Sequence, residues 1–131
     1  MEGNFVLVDS IELLGRTPGI FRAWLAGLSD DWINATEGPE TWSPFDIVGH
    51  LIHGEKRDWI PCTKHILGGD PEVPFVPFDR FAQVQESKGR TLDSLLDEFE
   101  TLRRENLKEL AASIWVRRSL RCRARIPSSG R

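Results

Sequence analysis

The chain has 131 residues, of which 40% are hydrophobic and 28% are charged, a balance typical of one globular domain. It contains no run of about 18 apolar residues, and its N-terminus carries acids before any base, which excludes a membrane span and a secretory signal. We therefore expect a cytoplasmic protein. The two cysteines, Cys62 and Cys122, are too few for a disulfide framework or a cysteine metal cluster, and we expect ordinary thiols.

The net charge of −3 is distributed unevenly along the chain. Residues 1–112 contain all 20 acids and 11 of the 17 basic residues, whereas residues 113–131 contain no acid and six arginines. We therefore predict a helical domain over residues 1–112 and an irregular, Arg-rich tail over residues 113–131. The tail lacks interleaved aromatic residues and a helical stripe, so we expect neither nucleic acid nor a membrane as a partner.

Apolar residues at steps of three and four predict a first amphipathic helix from Asp9 to Leu28. Trp24 falls on its apolar stripe and is predicted to be buried, as is Trp59 later in the chain. Pro18 is expected to kink or split this helix near Thr17. A loop rich in Asp, Gly and Pro follows over residues 29–41.

The second helix is predicted to start at Pro44, since Ser43 can cap it and Asp46 completes a capping box. It should run to about Leu67 with a bend at Pro61. Three prolines then predict an extended connection over residues 71–78.

The third helix, over residues 91–110, has the clearest apolar stripe in the chain, and no convincing strand pattern occurs anywhere. Asn106 is the one polar residue within that stripe, and we expect it to reach solvent or a backbone partner. The sequence thus predicts an all-α protein with three clear helices. Their apolar stripes would be buried best by a fourth helix, which the sequence does not supply.

The start of the second helix is also the most specific motif. Residues 41–55 read TWSPFDIVGHLIHGE, and residues 74–81 read PFVPFDRF. The tryptophan, the capped helix start and the histidine followed by leucine resemble the DinB-like superfamily. With the helix over residues 91–110, the resemblance covers about residues 5–112.

This resemblance implies a four-helix bundle, often dimeric, that holds a divalent metal such as zinc or nickel with three histidines. His50 matches the histidine of the second helix. The other two belong to a His-x-x-x-His pair on the fourth helix, and this chain has no such pair, since its other histidines are His53 and His65. Relatives of this kind activate a small thiol or water at the metal, as thiol transferases or hydrolases do.

The tail offers an explanation for the missing pair. One choice of codons for residues 125–131 encodes His-Pro-Glu-Phe-Gly-Pro in the neighbouring frame, which resembles the segment before the fourth helix of family members. We interpret the tail as out of frame, through a frameshift or truncation near Ala112. The bundle would then lack its fourth helix.

The residues themselves leave the chemistry of the second helix open. His50 and His53 are three positions apart and could both approach one ion, but a helical wheel places them in the polar sector, where solvent-facing histidines are common. Glu55 and Asp58 could supply a general base or a carboxylate ligand, although such acids are more often solubilising charges. Our metal-ligand candidate is His50, with His53 or Glu55 as groups that support it.

We expect a DinB-like protein derived from a metal-dependent enzyme that acts on a small-molecule substrate. One histidine cannot hold a catalytic metal tightly, so we expect this chain to be inactive. The alternative is a non-catalytic helical module for interaction or homodimerisation, since an unclosed bundle exposes apolar surface.

Overall fold

The computed structural model describes residues 6–69 and 72–123, with side chains as far as residue 114. Over these residues the chain is all-α, and no strand occurs among them, as predicted. The elements in chain order are α1 (Leu7–Leu25), α2 (Asp30–Ile33), α3 (Pro44–Arg57), α4 (Trp59–Gly68), α5 (Ala82–Glu86) and α6 (Leu92–Arg123). None of the described helices has the combination of length and apolar character that crossing a bilayer requires.

Helix α1 is not split by its proline. The helix is continuous from Leu7 to Leu25, with Pro18 buried inside it, so of the predicted kink or split near Thr17 the split is wrong. A proline leaves the carbonyl four residues earlier without its N–H donor, which here is the carbonyl of Leu14. Arg103 of α6 donates to that carbonyl from Nη1 at 2.9 Å, and this bond compensates for the donor that Pro18 lacks.

The predicted second helix begins as expected. The Ser43 hydroxyl accepts from the Asp46 backbone N–H, the Asp46 carboxylate accepts from the Ser43 N–H, and Pro44 occupies the first turn of α3. Both arms of the capping box satisfy backbone donors that a helix start leaves unpaired.

This helix is divided in two at Asp58, three residues before the bend predicted at Pro61. Pro61 cannot donate to the carbonyl of Arg57, and at Asp58, between the two helices, φ is −114° and ψ is −66°, a φ more negative than in a regular helix. Helix α4 then continues to Gly68, and Gly69 ends it in the left-handed conformation with φ of 71°.

The connections contain two short helices, α2 and α5, which the sequence reading missed because neither is long enough to show an apolar stripe. Residues 74–79 form neither helix nor strand, as their prolines predict. Helix α5 and the residue after it pack closely on α3: a Cβ added to Gly49 would lie 2.4 Å from Ser87 Oγ, so the Ser87 side chain would have to move to admit any larger residue.

Helix α6 does not end near Leu110 but continues to Arg123. The predicted irregular tail is therefore wrong over residues 113–123, while residues 124–131 lie outside the described part of the chain. The physical reason is that α6 contains no proline or glycine, and arginine, leucine and alanine are good helix formers. Loss of an apolar stripe removes a burial signal, but it does not by itself end a helix.

The core lies where α6 packs against α1 and α3. Its buried apolar residues are Leu25, Ile33, Val48, Ile52, Leu92, Leu95, Leu96 and Phe99. Trp24 and Trp59, predicted to be buried, are 70% and 53% exposed. On α1, Leu25 and Phe21 face the core in place of Trp24, and α4 has no buried residue, so hydrophobicity alone misassigned both tryptophans.

A buried polar cluster links the same three helices. The Glu55 side chain is 3% exposed, and its Oε1 accepts from Arg103 Nε at 2.7 Å. Asn106 Nδ2 donates to Glu55 Oε2 at 2.9 Å and to the Glu55 carbonyl at 2.8 Å. Asn106 thus has the backbone partner expected of it. Glu55 is not a solvated surface charge, and its carboxylate is held by two side chains of α6.

Removing the cation from this cluster should be strongly destabilising. We expect Arg103→Met to lower the free energy of unfolding by about 3–5 kcal/mol, because Glu55 is left buried without a cation and the Leu14 carbonyl loses its donor. Urea denaturation measures the change.

The neighbouring Arg104→Met provides the matched control. Arg104 pairs with Glu100 at the surface, where such pairs contribute up to about 1 kcal/mol. Equal losses for the two arginines would contradict the assignment of the buried pair as a structural constraint.

Candidate functional site

His50 lies between two aromatic rings. Its imidazole centroid is 4.7 Å from the ring of Trp42, which precedes α3, and 5.6 Å from Phe78 in the connection before α5. The His50–Phe78 contact is edge-to-face, with an interplanar angle of 75°. The two rings leave the imidazole half-buried.

The surroundings of His50 favour the neutral imidazole. Burial lowers the pKa of His50, and the nearby His53 lowers it further, against a backbone hydrogen bond with Arg80 and the charge of Asp58. The buried Nδ1 of His50 has no hydrogen-bond partner among the described residues. A neutral imidazole with an unbonded nitrogen is the form in which histidine binds a metal ion.

His53 does not face solvent, contrary to the helical-wheel interpretation. It is 5% exposed, its Nδ1 lies 3.2 Å from Glu86 Oε2, and its ring centroid is 4.9 Å from that of Phe78. Glu86 belongs to α5, the short helix that the sequence did not predict. The polar sector of α3 is covered by α5 and by the segment containing Phe78, which a single-helix wheel cannot reveal.

The two carboxylates considered as site residues have other partners. Both oxygens of Glu55 accept from side chains of α6. Asp58 accepts from the Cys62 thiol, with Oδ1 at 3.1 Å from Sγ, and this hydrogen bond raises the pKa of Cys62. The raised pKa keeps the Cys62 thiol protonated, which agrees with the expectation of an ordinary thiol. The role of Glu55 or His53 beside a metal stays a prediction.

The donor set in the described residues does not fit a three-ligand metal centre. His50 supplies one buried, unbonded nitrogen, which is the feature that a retained ligand would show. However, the described residues contain no group of three or more His, Cys, Asp or Glu side chains that could hold an ion. His65 lies on α4 against Phe75, with ring centroids 4.3 Å apart.

Gln83 of α5 is a residue that sequence reasoning did not single out. It is 1% exposed, and neither atom of its amide has a partner among the described residues. Nothing in the sequence signals this burial, because Gln83 lies in a helix too short to show periodicity. It lies beside Gly49, where α5 approaches α3 most closely.

The lowered pKa of His50 gives a pH prediction. In the unfolded chain the imidazole titrates near its ordinary value of 6.5, and in the folded protein below it. The unfolded state therefore binds the proton more readily. The contribution of His50 to stability is complete above pH 6.5 and is lost as the pH falls below that value toward the lowered pKa.

NMR titration of the imidazole C–H resonances measures this pKa directly, with His50→Gln as the assignment control. The same variant should show a smaller loss of stability between neutral and mildly acidic pH. A midpoint for His50 at or above 6.5 would contradict the burial seen for its ring.

The sequence matches a known protein family. A model of the DinB superfamily matches residues 13–115, which is most of the chain and includes α1 from residue 13 onward, both parts of the divided second helix and the greater part of α6. No curated protein matches the chain. The match covers the motif around His50 and the polar cluster around Glu55. With an all-α fold and this match over well more than half its length, the chain belongs to the DinB superfamily.

Proposed function

We propose that this chain derives from a metal-dependent enzyme of the DinB type, one that acts on small molecules as a thiol transferase or hydrolase, and that it lacks this activity in its present form. The observation that carries the proposal is the state of His50. Its Nδ1 is buried and unbonded, as a ligand awaiting an ion would be, yet the described residues offer no second and third ligand beside it.

One imidazole does not hold a catalytic ion, because such sites use about three protein ligands and an open position. His53 is engaged by Glu86, and Glu55 by Arg103 and Asn106. Recruiting either of them would break a buried contact. The chain therefore has the fold of its family, but the described residues do not supply a complete set of metal ligands.

The proposal predicts weak metal binding. Chelator-treated protein that is incubated with zinc or nickel and then desalted should retain much less than one ion per chain, as measured by atomic emission. His50→Ala and the control His65→Ala should retain the same small amount. One tightly held ion per chain, lost specifically in His50→Ala, would contradict the proposal.

A second candidate function is self-association, and a specific surface favours it. Leu13, Ile20 and Trp24 are each more than 60% exposed and follow one another on α1 at steps of seven and four residues. This spacing places the three side chains in one stripe along α1, with Thr17 between Leu13 and Ile20, on a face different from that of the buried Pro18 and Leu25.

We propose that this α1 stripe pairs with the same stripe of a second copy. A two-fold interface uses one patch on both subunits, and a single helix face can satisfy it. Exposed apolar side chains gathered on one face of a helix are typical of an interaction surface.

Sedimentation analysis tests this candidate. The unmodified chain should sediment as a dimer, and Ile20→Glu should shift it to monomer, because a carboxylate in the centre of an apolar interface is left unpaired. Val8→Glu is the matched control, since Val8 is 73% exposed on another face of α1. A monomer at all concentrations, or equal effects of the two substitutions, would exclude the α1 stripe.

A further inference from the structure

An open cleft of about 750 Å³ lies beside the start of α3, formed by the loop before that helix, by α2 and by the segment before α5. Three aromatic side chains line it: Trp32, Trp42 and Phe81. Trp32 is 69% exposed, which leaves a large apolar ring in contact with water. The cleft size is typical of sites for small molecules.

The stretch of chain that forms one wall of the cleft, residues 29–46, carries charged side chains of negative sign only. Residues 29–46 contain five acids and no Lys, Arg or His. Two of those acids, Glu37 and Glu40, line the cleft together with the aromatic rings. Neither is among the ion pairs formed within the described part of the chain, so their charges are not neutralised there.

The cleft already holds one cation of the protein itself. The guanidinium of Arg80 lies over the ring of Phe81, 5.0 Å from its centroid, and both residues line the cleft. This is a cation–π contact, in which the negative face of an aromatic ring attracts a positive charge. The wall of the cleft is therefore suited to a weakly hydrated cation.

We propose that this cleft binds a small organic cation of the quaternary-ammonium class. Aromatic walls favour a cation with an apolar surface, and the two carboxylates supply the compensating charge. An inorganic divalent cation fits less well, since hard cations require several oxygen ligands around one point and the described residues contain no such cluster. The guanidinium of Arg80, which lies over the Phe81 ring, then competes with the ligand for that ring.

This proposal is independent of any metal at His50. Two cleft residues contact His50, Trp42 through its ring and Arg80 through its backbone. The argument for the cleft rests instead on the rings of Trp32 and Phe81 and on the carboxylates of Glu37 and Glu40, none of which is a candidate ligand for a metal at His50. A result for or against metal binding at His50 therefore does not test ligand binding in the cleft.

Choline chloride is the probe, and NMR of the tryptophan indole N–H groups is the readout. The indoles of Trp32 and Trp42 should shift saturably with choline, while those of Trp24 and Trp59, which lie outside the cleft, should not. The carbon isostere of choline, with a tert-butyl group in place of trimethylammonium, should bind much more weakly. Sodium chloride at equal ionic strength is the background.

Three substitutions test the walls of the cleft. Trp32→Ala and Glu40→Gln should each weaken choline binding about two- to fivefold, the loss expected when one exposed cation–π or charge contact is removed. Arg80→Ala should strengthen binding, because the competing guanidinium is gone. Trp32 and Glu40 are both exposed, so these variants should fold.

Two controls match them. Trp59→Ala removes an exposed indole on α4, and Asp31→Asn removes an acid of α2, and neither residue lines the cleft. Neither should change choline affinity by as much as the wall variants do. The proposal is overturned if the isostere binds as tightly as choline, if the controls weaken binding as much as the wall variants, or if Arg80→Ala weakens it.

Discussion

The fold depends on one guanidinium. Arg103 of α6 binds the buried carboxylate of Glu55 on α3 and donates to the Leu14 carbonyl on α1, the carbonyl that Pro18 deprives of its helical partner. A single side chain thus satisfies two groups that would be costly to bury alone, and it does so at the meeting point of three helices. Asn106 completes the set by binding both the side chain and the backbone of Glu55. A shift of one helix against the others would leave a buried charge or carbonyl unpaired, which favours the observed register.

The same arrangement positions α3 without any contribution from His50. The elements that hold α3 in place, namely the capping box at Ser43, the close approach at Gly49 and the ion pair at Glu55, do not involve His50. His50 is positioned by them between Trp42 and Phe78, with an unbonded nitrogen. A DinB bundle can therefore retain a histidine in the geometry of a ligand while the described residues lack its companions.

Sequence reasoning was successful where the signal is local. Ser43, Pro44 and Asp46 predict the start of α3 because a capping box is formed within four residues, and the leucine stripe of α6 predicts its packing face. It failed where the answer depends on distant residues. His53 is buried by α5, Glu55 is buried by Arg103 and Asn106, and Trp24 is exposed because Leu25 and Phe21 face the core instead. The motif around His50 was recognised, but its surroundings could not be, since Phe78 is brought to it by a connection without periodicity.

The most direct test of this account is native-state hydrogen exchange along α1, α3 and α6. If Arg103 unites the three helices, the slowest amides near Leu14, Glu55 and Arg103 should share one free energy of opening, equal to that of global unfolding. In Arg103→Met these three values should fall together. If α1 or α6 instead opens at a distinctly lower free energy than α3 in the unmodified protein, the helices are not coupled through this cluster, and the central claim is wrong.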